Sequence, residues 1–155
     1  MVCLFRVSGR NFDVDKFLKT SPWCDVADTY HRGDPIKLKL LHKRLRRKTS
    51  SDSGFQIEVT SNGPNGHINR QIPGVIQFLR KFRKEFQRLG KTKAVESRCL
   101  DFGVMWEEST AIKRHFVPAE LLILSGELGI DIMISNYGWI DFSTHEKQGK
   151  KKFKK

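Results

Sequence analysis

Cysteine is scarce in this sequence. Its three residues, Cys3, Cys24 and Cys99, are far apart, odd in number and form no Cys-x-x-Cys pair. A disulfide framework and a zinc knuckle are therefore both excluded, and a reducing compartment is expected. Long apolar runs are also lacking, since no stretch approaches the roughly 18 residues of a membrane span. The first residues do not combine a basic start with an apolar run, so we expect a cytoplasmic protein.

The composition is that of a folded chain. It has 155 residues, 38% of them hydrophobic, with eleven Phe and three Trp. That is enough to build a core without disulfides or a metal. We predict a single domain over residues 1–146, followed by a lysine-rich, disordered tail at 147–155.

Positive charge is concentrated in three segments. The formal net charge is +12. Residues 37–48 contain seven Lys or Arg and no acid, residues 80–93 contain seven and one acid, and the tail contains six. Such segregation creates a basic field that attracts polyanions or acidic proteins.

Signals for catalysis or metal binding are weak. No two of the five histidines, His31, His42, His67, His115 and His145, have the paired spacing of a zinc site. Glu107 and Glu108 are adjacent and point to opposite sides of a predicted strand. Asp101-Phe102-Gly103 matches a kinase tripeptide without the other kinase motifs. We therefore predict no cofactor, no small-molecule ligand and no enzymatic activity, although residues distant in sequence can still converge in a cleft.

Hydrophobic periodicity predicts an α+β fold. Alternating residues indicate strands at 2–8, 36–40, 55–60, 97–107 and 130–135, and apolar stripes indicate helices at 13–19, 73–89 and from Pro118 to Leu128. Most strands have polar residues on alternate positions, which is typical of a sheet with one wet face. We predict an open-faced, mostly antiparallel five-stranded sheet with about three helices on one face.

The helix boundaries follow from capping signals. Pro73 is placed in the first turn of the long helix and Gly90 at its C-terminal cap. In the last helix, Gly129 is the cap and five apolar residues are predicted to pack inward: Leu121, Leu122, Ile123, Leu124 and Leu128.

Several motifs resemble a family of small bacterial domains of unknown function. They are the opening Phe5-Arg6-Val7-Ser8-Gly9, the turn His31-Arg32-Gly33-Asp34-Pro35, and the close from Pro118 to Asn136-Tyr137. The resemblance implies a ferredoxin-like α+β arrangement and no chemistry. Proteins of this kind often act as immunity or interaction partners.

The main functional candidate is a basic surface. On the long helix, Arg80, Lys81, Arg83, Lys84 and Arg88 occupy the arc opposite the Phe stripe. Three interpretations remain open: a solvated helix face, a surface for nucleic-acid phosphates, or a docking site for an acidic protein. The predicted binding residues are Arg44, Arg46, Arg47, Lys48, Arg80, Lys81, Arg83, Lys84, Arg88 and Lys91.

The open face of the predicted sheet does not suit base stacking, because Glu58, Asp101 and Asp131 point outward from it. Nucleic acid is therefore expected to bind through phosphates, without sequence preference and with steep salt dependence. The alternative is a protein-interaction or immunity-type domain that neutralises an acidic partner. The tail is free to contact anionic lipid, RNA or nothing.

Overall fold

A computed structural model describes residues 2–36, 49–61, 67–106 and 114–138. These ranges form five strands and four helices, which confirms the α+β prediction. The strands are β1 (Val2–Gly9), β2 (Asp28–Tyr30), β3 (Ser53–Ser61), β4 (Ser97–Trp106) and β5 (Asp131–Gly138). The helices are α1 (Val14–Leu18), α2 (Ile68–Lys81), α3 (Arg83–Gly90) and α4 (Ala119–Leu128).

The described strands form one sheet in the order β2-β3-β1-β4-β5. Its pairs are antiparallel except β4 with β5, which run parallel on either side of the crossover through α4. Phe5 in β1 lies opposite Ile57 in β3 and Leu100 in β4. The sheet is mostly antiparallel, as predicted, and β1 lies at its centre.

The core lies between the helices and one face of the sheet. Phe5 is fully buried and its ring is 5.1 Å from that of Phe86 and 5.8 Å from that of Trp23. Trp23 is 6.1 Å from Phe78, so the loop after α1 joins the same aromatic cluster. This burial fixes which side of α2 and α3 faces inward, and therefore which side faces solvent.

Helix α1 is capped at its start by Asp13. The Asp13 side chain accepts a hydrogen bond of 3.0 Å from the Lys16 backbone N–H. The Arg32-Gly33-Asp34 turn is confirmed: Gly33 has φ +92°, and the Asp34 carboxylate accepts from the His31 backbone N–H at 2.7 Å.

The second strand of the structure is not the one predicted at 36–40. Ile36 is described and lies in no strand, while the rest of the predicted 36–40 segment lies outside the described residues. The edge strand β2 at Asp28–Tyr30 was missed. It has only three residues and no apolar alternation, and it exists because its backbone pairs with β3.

The long helix is two helices, so that prediction was wrong in its bounds. Ile68 and Ile72 extend the buried stripe backward, which places Pro73 at the sixth residue of α2. The chain leaves helical geometry at Phe82 (φ −103°, ψ 21°) before α3 begins. Gly90 is the last residue of α3, and Lys91 is the cap.

Two outward positions on α4 also correct the sequence interpretation. Leu121 and Leu128 are buried and Leu124 packs against the core, but Leu122 and Ile123 are 53% and 60% exposed. A single face of a helix reaches the sheet, so five neighbouring apolar residues cannot all point inward. Gly129 closes the helix in the left-handed region at φ +62°, as predicted.

Candidate binding surface

The structure describes six of the ten predicted binding residues. Arg44, Arg46, Arg47 and Lys48 lie outside the described residues. The other six lie on α2 and α3 or at the α3 cap: Arg80, Lys81, Arg83, Lys84, Arg88 and Lys91. Their positions around the helices separate them into three groups with different neighbours.

Arg80 and Arg83 point toward α4. Arg80 Nη2 is 2.5 Å from Glu120 Oε1, and Arg83 Nη2 is 2.8 Å from Glu127 Oε2. All four side chains remain about half exposed, so each pair contributes little to stability. The pairs do cancel much of the charge that these arginines would offer to a partner.

Arg88 points in the opposite direction, toward α1. Its guanidinium lies 4.0 Å from the centre of the Phe17 ring and pairs with Glu85. It also donates to Thr20 Oγ1 at 2.9 Å and to the Phe17 carbonyl at 3.2 Å. These contacts hold α1 against α3, so the structure gives Arg88 a packing role.

Lys81, Lys84 and Lys91 form the remaining group, which we call the lysine surface. All three are exposed, and none has an ion-pair partner within the described part of the chain. Lys81 Nζ lies 5.0 Å above the Phe82 ring. Lys84 and Lys91 are seven residues apart, which places them on one side of α3, and Lys81 is the last residue of α2, just before the break at Phe82.

Arg98 is a basic residue that the sequence analysis missed. It extends from β4 into a cleft of about 540 Å³ where α3 and α4 end, and Nη1 donates to the Leu128 carbonyl at 3.3 Å. Its guanidinium passes within 2.8 Å of the positions that a Cβ would take on Gly90 and Gly129. Arg98 lies in this cleft because the ends of α3 and α4 meet beside β4. The sequence shows only a single arginine in a strand, so it could not predict this position.

The open face of the sheet is polar at its centre. Asp101 lies on this face together with Leu4 and Glu58, as the alternation predicts, but it is only 4% exposed. Arg6 Nη2 lies 2.9 Å from Asp101 Oδ2, and the Ser135 hydroxyl donates to Oδ1 at 2.5 Å. Neighbouring side chains therefore cover the carboxylate while its oxygens stay paired.

Chemistry at the cysteines is limited by burial. Cys3 and Cys99 are buried, and desolvation raises the pKa of both thiols above the ordinary value. They remain neutral near pH 7 and are poor nucleophiles. Across the described ranges, no group of three or more His, Cys, Asp or Glu side chains has a metal-binding arrangement.

The fold and surface define the class of protein: a small α+β domain with helices on one face of its sheet and a cationic outer helix surface. The chain belongs to the family Domain of unknown function (DUF4279), whose match covers residues 1–139. This confirms the resemblance to an uncharacterised domain family. No curated protein and no solved structure matches the chain. Among the described residues, no helix has the length and apolar character needed to cross a membrane.

Proposed function

We propose that this chain is a non-enzymatic binding domain whose basic surface engages an anionic partner, with nucleic-acid phosphates as the first candidate. The observation that supports it is the lysine surface, where Lys81, Lys84 and Lys91 are exposed and lack carboxylate partners among the described residues. Ammonium groups on long side chains act as point charges toward phosphate. They carry no base readout, so binding without sequence preference is expected.

The size of the effect follows from counterion release. Each phosphate neutralised on duplex DNA contributes about −0.9 to the slope of log affinity against log salt concentration. Three lysines therefore account for a slope of about −2.7. Arg80 and Arg83 contribute less, because binding a phosphate requires breaking the pairs with Glu120 and Glu127.

The test is fluorescence anisotropy of a labelled 20-base-pair duplex of random sequence, titrated at several salt concentrations. The variant is Lys81→Glu with Lys84→Glu and Lys91→Glu. The control has the same net charge through Arg10→Glu, Arg32→Glu and Arg70→Glu, three exposed residues elsewhere on the domain. The lysine variant is expected to lose at least tenfold more affinity than the control and to show a shallower salt slope. Equal losses in both variants would refute a local phosphate-binding surface.

A second candidate is an interaction or immunity-type domain that neutralises an acidic partner protein. The observation in its favour is the exposed pair Leu122 and Ile123, beside arginines that already have carboxylate partners. Phosphate groups make no use of exposed aliphatic side chains, whereas protein interfaces do. A toxin gene adjacent to the gene for this chain would support this candidate. Both candidates are compatible with the proposed cytoplasmic location.

A further inference from the structure

The outer side of α4 carries a continuous apolar stripe. Ala119, Leu122, Ile123 and Gly126 follow the i, i+3, i+4, i+7 spacing that places residues on one helix face. All four are exposed, and the exposed fractions of Leu122 and Ile123 exceed one half. In helix–helix packing, side chains at this spacing form ridges that fit into the grooves of a second helix.

The stripe leads into the cleft between the ends of α3 and α4. Gly126 is part of the stripe and also lines the cleft of about 540 Å³, together with Lys91 and Arg98. A Cβ added at Gly126 meets no atom within 4 Å, so the surface is open at this point. The face therefore combines two aliphatic side chains, a site of close approach and an adjoining cationic cleft.

Charge decides which occupant fits. In the described part of the chain, neither Lys91 nor Arg98 has a carboxylate partner, whereas Glu127 at the cleft edge is paired with Arg83. A second copy of this chain would bring its own formal charge of +12 against the same face. Nucleic acid would leave the aliphatic stripe unused. A protein with both apolar and acidic side chains satisfies the stripe and the cleft together.

We propose that this α4 face docks an amphipathic helix of an acidic protein. The apolar side chains of that helix pack on Leu122 and Ile123, Gly126 permits close approach of the two backbones, and a carboxylate enters the cleft toward Lys91 and Arg98. Helix-on-helix recognition of this kind uses anchors at i, i+3 or i+4, and i+7. The inference rests on the acidic-protein candidate above, not on the nucleic-acid one.

The experiment uses a display library of 18-residue peptides with helix-favouring backgrounds and randomised faces. Wild-type chain selects the peptides, and the Leu122→Asp/Ile123→Asp variant removes those that bind elsewhere. Enriched peptides are expected to carry apolar residues at helical spacing together with Asp or Glu. Their affinity is then measured by isothermal titration calorimetry at low and physiological salt.

Matched variants locate the contact. Leu122→Asp and Gly126→Phe, which places a bulky ring where the two backbones would approach each other, are each expected to weaken peptide binding at least tenfold. Val26→Asp, at an apolar residue with 62% exposure outside α4, is expected to leave it unchanged. Circular dichroism on every variant shows whether the fold is retained.

Four results would overturn the proposal. One is failure to enrich any peptide, and another is enrichment of peptides without acidic residues. The third is peptide affinity that survives Leu122→Asp but falls in the lysine-surface variant. That result would support binding of an acidic protein but would place it away from the α4 face. The fourth is the loss, in Leu122→Asp, of either self-association measured by sedimentation or duplex DNA binding. Loss of self-association would assign the face to a second copy of the chain, and loss of DNA binding would assign it to nucleic acid. Loss of DNA binding in the lysine-surface variant alone bears only on the nucleic-acid candidate.

Discussion

Two glycines three residues apart in α4 are predicted to respond to alanine with opposite signs. Gly129 closes the helix at φ +62°, and its N–H donates to the Gly126 carbonyl at 3.1 Å. A Cβ there would lie 2.8 Å from Arg98 Nη2. Gly126 is an exposed residue inside the helix, and a Cβ there meets nothing within 4 Å. Position 129 therefore demands glycine, and position 126 tolerates a side chain.

The magnitudes follow from these environments. Left-handed geometry costs a residue with a Cβ about 1–2 kcal/mol. Displacing Arg98 weakens its hydrogen bond to the Leu128 carbonyl, which adds about 1 kcal/mol. At Gly126, alanine restricts the unfolded chain and favours the helix by about 0.5–1 kcal/mol. For a domain of this size, 1 kcal/mol corresponds to about 2–4 °C in Tm.

Thermal and urea denaturation of wild type, Gly129→Ala and Gly126→Ala measure the difference. Gly129→Ala is expected to lower Tm by about 4–12 °C, which corresponds to roughly 2–3 kcal/mol, and Gly126→Ala to raise it by about 1–4 °C. A destabilised Gly126→Ala, or a Gly129→Ala variant as stable as wild type, would contradict the described end of α4. Equal urea m-values in all three proteins would show that the substitutions leave the surface exposed on unfolding unchanged.

Three further predictions concern the core, the thiols and the open face. Phe5→Ala is expected to cost about 3–5 kcal/mol in urea denaturation, because four aromatic rings surround it, while Phe116→Ala, at 71% exposure, changes stability by less than about 0.5 kcal/mol. Ellman's reagent at pH 8 is expected to modify one thiol rapidly in the native protein and three in denaturant, with the rapid reaction lost in Cys24→Ser; three rapid thiols would be incompatible with the described burial. Asp101→Ala is expected to cost about 1–3 kcal/mol, since it removes the partner of Arg6, and an unchanged urea midpoint would argue against that contact.

Local patterns were sufficient to predict much of the fold. Local apolar patterns located β1, β3, β4 and β5. The last three carry residues of different character on their two faces, whereas β1 is apolar on both sides. The end of α4 at Gly129 was also predictable, since it depends on one residue in its own backbone context. The break at Phe82 was not, because the apolar stripe continues through it, with Phe82 packed on Phe78 at 5.2 Å between ring centres.

The sequence predicted which basic residues form the candidate surface, but not which of them have carboxylate partners. Arg80, Lys81, Arg83 and Lys84 are exposed, as a helical projection indicates, whereas Arg88 packs on Phe17. The projection says nothing about Glu120 and Glu127, which lie 40 and 44 residues further along the chain than the arginines they meet. Only the packing of α4 beside α2 and α3 brings these groups together. Tertiary structure thus separates paired arginines from unpaired lysines within a single basic segment.

The two sides of the sheet differ in the charge that they offer to a partner. On the open face, Glu58 and Asp131 are exposed, and Arg6 already pairs with Asp101. On the helix side, the lysine surface and the cleft around Arg98 are positive. Exposed charges act over about 8–10 Å at physiological salt, so each side is sensed separately despite the high total charge. The proposed anionic partner, whether nucleic acid or protein, is therefore expected to approach the helix side, where variants in the aliphatic stripe of α4 test which of the two it is.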